Sequence, residues 1–156
     1  MSKASELDEE TTRPGLRLEL FVSDLPRSAA FYRGVLGFQT LREAPSGYTS
    51  IGREGIVLGL IDVLQVPEGH PARPRPDMRS GLGVELVVVV EDVAALHARA
   101  VASGQADISA LVAQPWGLTD FRVVDPDGYY IRVTGLVAPP PGVGAPPRPS
   151  DPRPPE

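Results

Sequence analysis

A chain of 156 residues with a net charge of −5 and 42% hydrophobic residues has room for one folded unit with its own core and little else. The absence of cysteine excludes disulfides, thiolate metal sites and a nucleophilic thiol. Acidity argues against nucleic acid, which needs clustered Lys and Arg, and no apolar run approaches the roughly 18 residues of a membrane helix, so neither partner is expected.

Residues 1–14 are polar and lack the apolar stretch of a signal peptide, which makes the cytoplasm the expected location and a disordered N-terminal tail the expected structure. Nine of the 18 prolines fall in residues 139–155, within "PPPGVGAPPRPSDPRPPE", and residues 138–156 are expected as a second disordered tail. The first segment sets Lys3 and Arg13 against Glu6, Asp8, Glu9 and Glu10, and the last balances Arg148 and Arg153 against Asp151 and Glu156. The part between therefore carries −3 of the −5.

Within residues 15–137 the chain repeats itself. "LRLELFVSDLPRSAAFYRGVLGF" opens with alternating apolar residues, the pattern of a half-buried strand. A helix follows, capped by Ser23 or Asp24, burying Ala29, Phe31, Tyr32, Val35 and Leu36, and stopped at Gly37. "GVELVVVVEDVAALHARAVASGQ" repeats that order 68 residues later, with Asp92 as cap, Val93, Leu96, Ala100 and Val101 as the packed stripe, and Gly104 as stop. Each helix leads to further strands and a turn-to-strand unit, "GREGIVLGLI" and then "DPDGYYIRVT", in which Gly55 matches Gly128 and Gly59 matches Arg132. The fold expected is α+β, two βαβββ modules at 15–64 and 82–137 joined by the proline-rich linker 65–81. Segments 40–54 and 62–83 carry no strong pattern.

The "VSDL" strand end, the "FYRGVLGF" helix end and "DPDGYYIRV", in this order, resemble the vicinal oxygen chelate superfamily, which includes glyoxalase I, extradiol dioxygenases and the bleomycin-resistance proteins. The resemblance covers nearly all of residues 16–135. It implies two modules curling their sheets around a cavity, a homodimer, and, in the metal enzymes, ligands from the first and last strand of each module. Carried onto this sequence, those positions are Arg17, Gly59, Glu85 and Arg132. A guanidinium does not deprotonate to become a ligand and glycine has no side chain, so only Glu85 can bind a divalent ion. Glu19 shares the face of Arg17, which leaves a two-carboxylate site with Glu85 as the residual metal possibility. The expectation is a site without metal or other cofactor.

Strand alternation places Arg17, Glu19 and Phe21, then Val57, Gly59 and Ile61, then Glu85, Val87 and Val89, then Tyr130, Arg132 and Thr134 on the cavity face. The two arginines are expected to pair with the two glutamates, since an unpaired buried guanidinium is costly. Gly59 should leave room for a ligand. The "PWG" segment resembles that of the bleomycin-resistance proteins, whose aromatic residue there helps hold the antibiotic, so Trp116 is the expected stacking residue at the rim, with Tyr48 in the loop "APSGYTS" as a second. His70 and His97 match no ligand position.

Three functions follow from these residues. The first is a non-catalytic protein that sequesters a planar or partly aromatic small molecule such as an antibiotic, suited by its mild acidity to a neutral or cationic one. The second is a metal-independent isomerase or cyclase using Glu19 or Glu85 as general base. The third is a metal-dependent lyase or dioxygenase, which the missing ligands disfavour.

Overall fold

The structure, a computed structural model, describes residues 15–136. The tails expected at 1–14 and 138–156 lie outside the described residues. In chain order the elements are β1 (Leu18–Val22), α1 (Leu25–Gly34), β2 (Gln39–Ala44), β3 (Tyr48–Arg53), β4 (Ile56–Asp62), a 3-10 turn (Val63–Gln65), β5 (Glu85–Val90), α2 (Val93–Ser103), β6 (Val112–Ala113), β7 (Thr119–Val124) and β8 (Tyr130–Gly135). This is βαβββ twice.

Both helices start for the same reason. Asp24 accepts the N–H of Arg27 at 3.0 Å and Asp92 that of Ala95 at 2.9 Å, each satisfying a donor the first turn leaves free. Gly104, with φ of +62°, closes α2 in the left-handed conformation a C-cap requires. Along α2 the apolar stripe is Val93, Leu96 and Ala100, whereas Val101 is 56% exposed rather than packed. It lies about 100° around the helix from Ala100, which carries it off the buried face.

The repeat extends to register. The sheets run β1-β4-β3-β2 and β5-β8-β7-β6, with the first and last strand of each module parallel. Glu19 lies opposite Gly59 in one sheet and Val87 opposite Arg132 in the other, the positions that the sequence offsets equate. Segment 40–54, patternless in sequence, forms the β2–β3 hairpin, and a register shift between Thr40 and Arg42 breaks the alternation that would have marked β2.

One hydrophobic core serves both modules. It takes Leu20, Val22, Leu58 and Leu60 from the first sheet, Leu86, Val88, Val90, Ile131 and Val133 from the second, and Phe31, Tyr32 and Leu96 from the helices. The helix-bearing faces of the modules thus share their buried surface, while the opposite face of each sheet stays open. The sheets do not close around a common chamber within one chain.

Candidate functional site

On the open face of the first sheet Arg17 donates to Tyr48 Oη at 2.8 Å and lies 3.5 Å from Glu19 Oε1. Both charged side chains remain more than two-fifths exposed. Tyr48 is the first residue of β3 and not a loop residue at the rim, so its ring lies on the sheet. A Cβ built on Gly59 would stand 3.0 Å from that ring and 3.2 Å from Glu19 Cγ. The room expected at Gly59 is therefore taken by Tyr48, an aromatic side chain covering a glycine on the neighbouring strand. Phe21, half-buried on the same face, meets the ring of His70 at 5.6 Å, which brings the proline-rich linker over this sheet.

The second sheet carries a denser cluster. Arg132 Nε lies 3.3 Å from Glu85 Oε1, and Arg122 on β7 donates to Asp120 two residues before it. Asp120 is fully buried, also accepts from Gln114 at 2.8 Å, and leaves Oδ2 without a partner. Burial alone would lower the pKa of Arg122, but hydrogen bonding and charge attraction from Asp120 outweigh it and raise that pKa. Sequence reasoning missed Arg122 and Asp120. The signal was present in "TDFRVV", where the buried Phe121 and Val123 assign Asp120 and Arg122 to the other face. Tyr130 sits on this face, half-buried, while Val87 and Val89 are exposed. A cleft of about 430 Å³ opens beside Glu85 and Val87 and runs between β4 and β5 past Ile56, Leu58 and Ile131.

Trp116 stands at the tip of the β6–β7 hairpin, 59% exposed, on a turn closed by the Gly117 N–H to Gln114 C=O bond at 2.9 Å. It contributes little to the core. The Asp125–Gly128 turn, by contrast, holds the modules together. Asp127 accepts from the Ser23 N–H at 2.9 Å and from Ser28 Oγ at 3.2 Å, and Asp125 accepts from Tyr32 Oη at 3.0 Å and from the N–H groups of Asp127 and Tyr129. Tyr129 Oη bridges the backbone N–H and C=O of Phe21. Burial pushes the Asp125 carboxyl above its ordinary pKa, opposed by the hydrogen bonds from Tyr129, Tyr32 and Asp127. Burial and the charge of Asp125 push Tyr32 up as well.

The donor set does not fit a metal. Of Arg17, Gly59, Glu85 and Arg132 only Glu85 offers a ligand atom, and that carboxylate is engaged by Arg132. Among the described residues no three His, Cys, Asp or Glu side chains come together, and no helix is long and apolar enough to cross a membrane.

Paired βαβββ modules with parallel outer strands and an open face on each sheet define the class of fold. The sequence profile of the glyoxalase/bleomycin resistance protein/dioxygenase superfamily matches residues 16–133, and the chain belongs to that superfamily. Similar solved structures include TioX from Micromonospora sp. ML1, at 23% identity over 81% of this chain and 98% of that one, with a TM-score of 0.61. TnmS3, an antibiotic binding protein from Streptomyces sp. CB03234, is 24% identical over 81% and 99%, with a TM-score of 0.60. A lactoylglutathione lyase from Agrobacterium tumefaciens is 22% identical over 80% and 96%, with a TM-score of 0.57. At these identities the likeness establishes the fold. No curated protein sequence matches the chain significantly.

Proposed function

We propose that this protein is a non-catalytic binding protein that sequesters a small molecule, a planar and partly aromatic natural product such as an antibiotic, in the cytoplasm. The observation that carries this reading is the filling of the superfamily's ligand positions by Arg17, Gly59 and Arg132, with Glu85 held in an ion pair. Both candidate general bases, Glu19 and Glu85, are ion-paired and about two-fifths exposed, whereas a carboxylate acting as base is normally kept dry and unpaired, which weighs against the isomerase or cyclase reading. The antibiotic-binding relative TnmS3 supports the ligand class.

The ligand-binding residues of this reading are Arg17, Glu19, Phe21, Tyr48, Glu85, Trp116, Tyr130 and Arg132, with Gly59 admitting the ring of Tyr48. They lie on two sheets whose open faces do not close on each other in one chain. A homodimer setting the first sheet of one protomer against the second sheet of its partner would complete the chamber and cover Val87 and Val89. The test is a thermal-shift screen of polycyclic aromatic antibiotics, followed by chromatography of the recovered compound. Stabilisation with the compound recovered unchanged is expected. Conversion of the compound, or no stabilisation by any of the panel, would overturn the reading.

A further inference from the structure

We infer that Arg122 and Arg132 together form a carboxylate-binding site, so that the sequestered molecule is a monoanion whose acid group lies between the two guanidiniums. This deepens the binding reading above and rests on it.

Arg122 and Arg132 are direct cross-strand partners in the β7–β8 ladder, and both side chains project onto the open face of the second sheet. Directly opposed residues have Cβ atoms about 4.5–5.5 Å apart, and like charges at that separation destabilise the pair. The local acids answer this only in part. Glu85 meets Arg132 through Nε, and Asp120 meets Arg122 through one terminal nitrogen. Among the described residues, both terminal nitrogens of Arg132 and two of the three nitrogens of Arg122 have no partner, although the side chains are only 22% and 30% exposed. Guanidinium donors held partly out of water, fixed by an acid on one edge and open on the other, are what a bidentate carboxylate needs.

The first sheet offers no equivalent. On this face Arg17 is spent on Tyr48 and Glu19 and is more exposed, and Arg42, opposite Ser50 on the edge strand β2, is exposed to water rather than held beside a second arginine. The quartet of Arg122, Arg132, Glu85 and Asp120 is neutral, so attraction comes from donor geometry and a single negative charge is favoured over two. The chain's average charge of −5 suits neutral or cationic ligands, but hydrogen bonds act at contact distance and average charge does not. The exposed Val87, directly opposite Arg132, and Val89 on the same face suit the hydrocarbon body of such an acid.

Calorimetric titration of the full-length protein with 2-naphthoate and with its uncharged isostere 2-naphthamide tests this. The acid is expected to bind at least tenfold more tightly. That preference should vanish in Arg132→Gln and in the double variant Asp120→Asn with Arg122→Gln, which removes the guanidinium without stranding a buried carboxylate. It should survive Arg75→Gln, a surface control. Equal binding of acid and amide overturns the anion site and leaves sequestration of a neutral ligand intact. A preference that persists in both arginine variants, or no binding of the acid at all, overturns the site, and the antibiotic screen then judges the binding reading separately.

Discussion

Replacing Tyr32 with Phe removes one hydrogen bond that joins the modules and nothing else of size. Tyr32 is 1% exposed and Asp125 4% exposed, with Oη and Oδ2 3.0 Å apart. The ring stays in its T-shaped contacts with Phe31 at 5.2 Å and Phe38 at 5.8 Å, so no cavity term enters. A hydrogen bond to a charged group contributes about 1.5–3 kcal/mol, and that is the loss expected at pH 7. The pH dependence separates this cause from a packing defect. Burial holds the folded pKa of Asp125 above its unfolded value, so protons stay bound longer in the folded state and stability falls as pH rises through the interval between the two. The Tyr32 hydroxyl opposes that shift by favouring the carboxylate. Without it the folded pKa rises further, and the deficit of the variant is largest above that pKa and shrinks as pH falls through it. Urea denaturation of both proteins at pH 7 and in the acid range measures the difference. A loss below about 0.5 kcal/mol, or a deficit independent of pH, would refute the claim that Asp125 is a buried carboxylate held by Tyr32.

Other outcomes follow from exposure. Trp116→Ala should change stability by under about 0.5 kcal/mol, since Trp116 is 59% exposed, yet weaken binding of a stacking ligand about tenfold, roughly 1.4 kcal/mol; a melting temperature and an affinity on one variant check both. Glu85→Ala should cost no more than about 1 kcal/mol by denaturation, because its pair with Arg132 is partly solvated and not buried. Light scattering at tens of micromolar should give the mass of a dimer, and a monomer mass would dismiss the shared chamber. Elemental analysis should find less than one transition metal per chain, and chelator should leave the melting temperature unchanged.

Much of the fold is written locally. Asp24 and Asp92 announce helix starts, alternation announces β1 and β8, the apolar run of residues 86–90 announces β5, and the repeat offset reproduces the observed register because period 2 allows no intermediate setting. The β2–β3 hairpin was hidden by a bulge and by exposed polar residues on an edge strand. For the candidate site, the faces of Arg17 and Arg132 were legible from alternation alone. The occupation of Gly59's space by Tyr48 was not, because it depends on how β3 lies beside β4, and neither was the clasp of Asp127 on Ser23, 104 residues away. The linker shows the same limit. Its prolines predict an irregular path, but not that His70 returns to Phe21 or that the Ser80 N–H docks on Asp127 C=O at 2.9 Å.

Sequestration without chemistry is the central claim, and mass analysis of the drug in a sensitive bacterial host tests it most directly. Cells making graded amounts of the protein are challenged with a polycyclic aromatic antibiotic that stabilises it in vitro, and the drug is extracted and weighed by mass spectrometry. The account predicts resistance that rises in proportion to protein level, with the drug recovered at its original mass and bound at no more than one molecule per chain. Resistance far beyond the molar amount of protein, accompanied by a drug of altered mass, would contradict it and make the protein an enzyme.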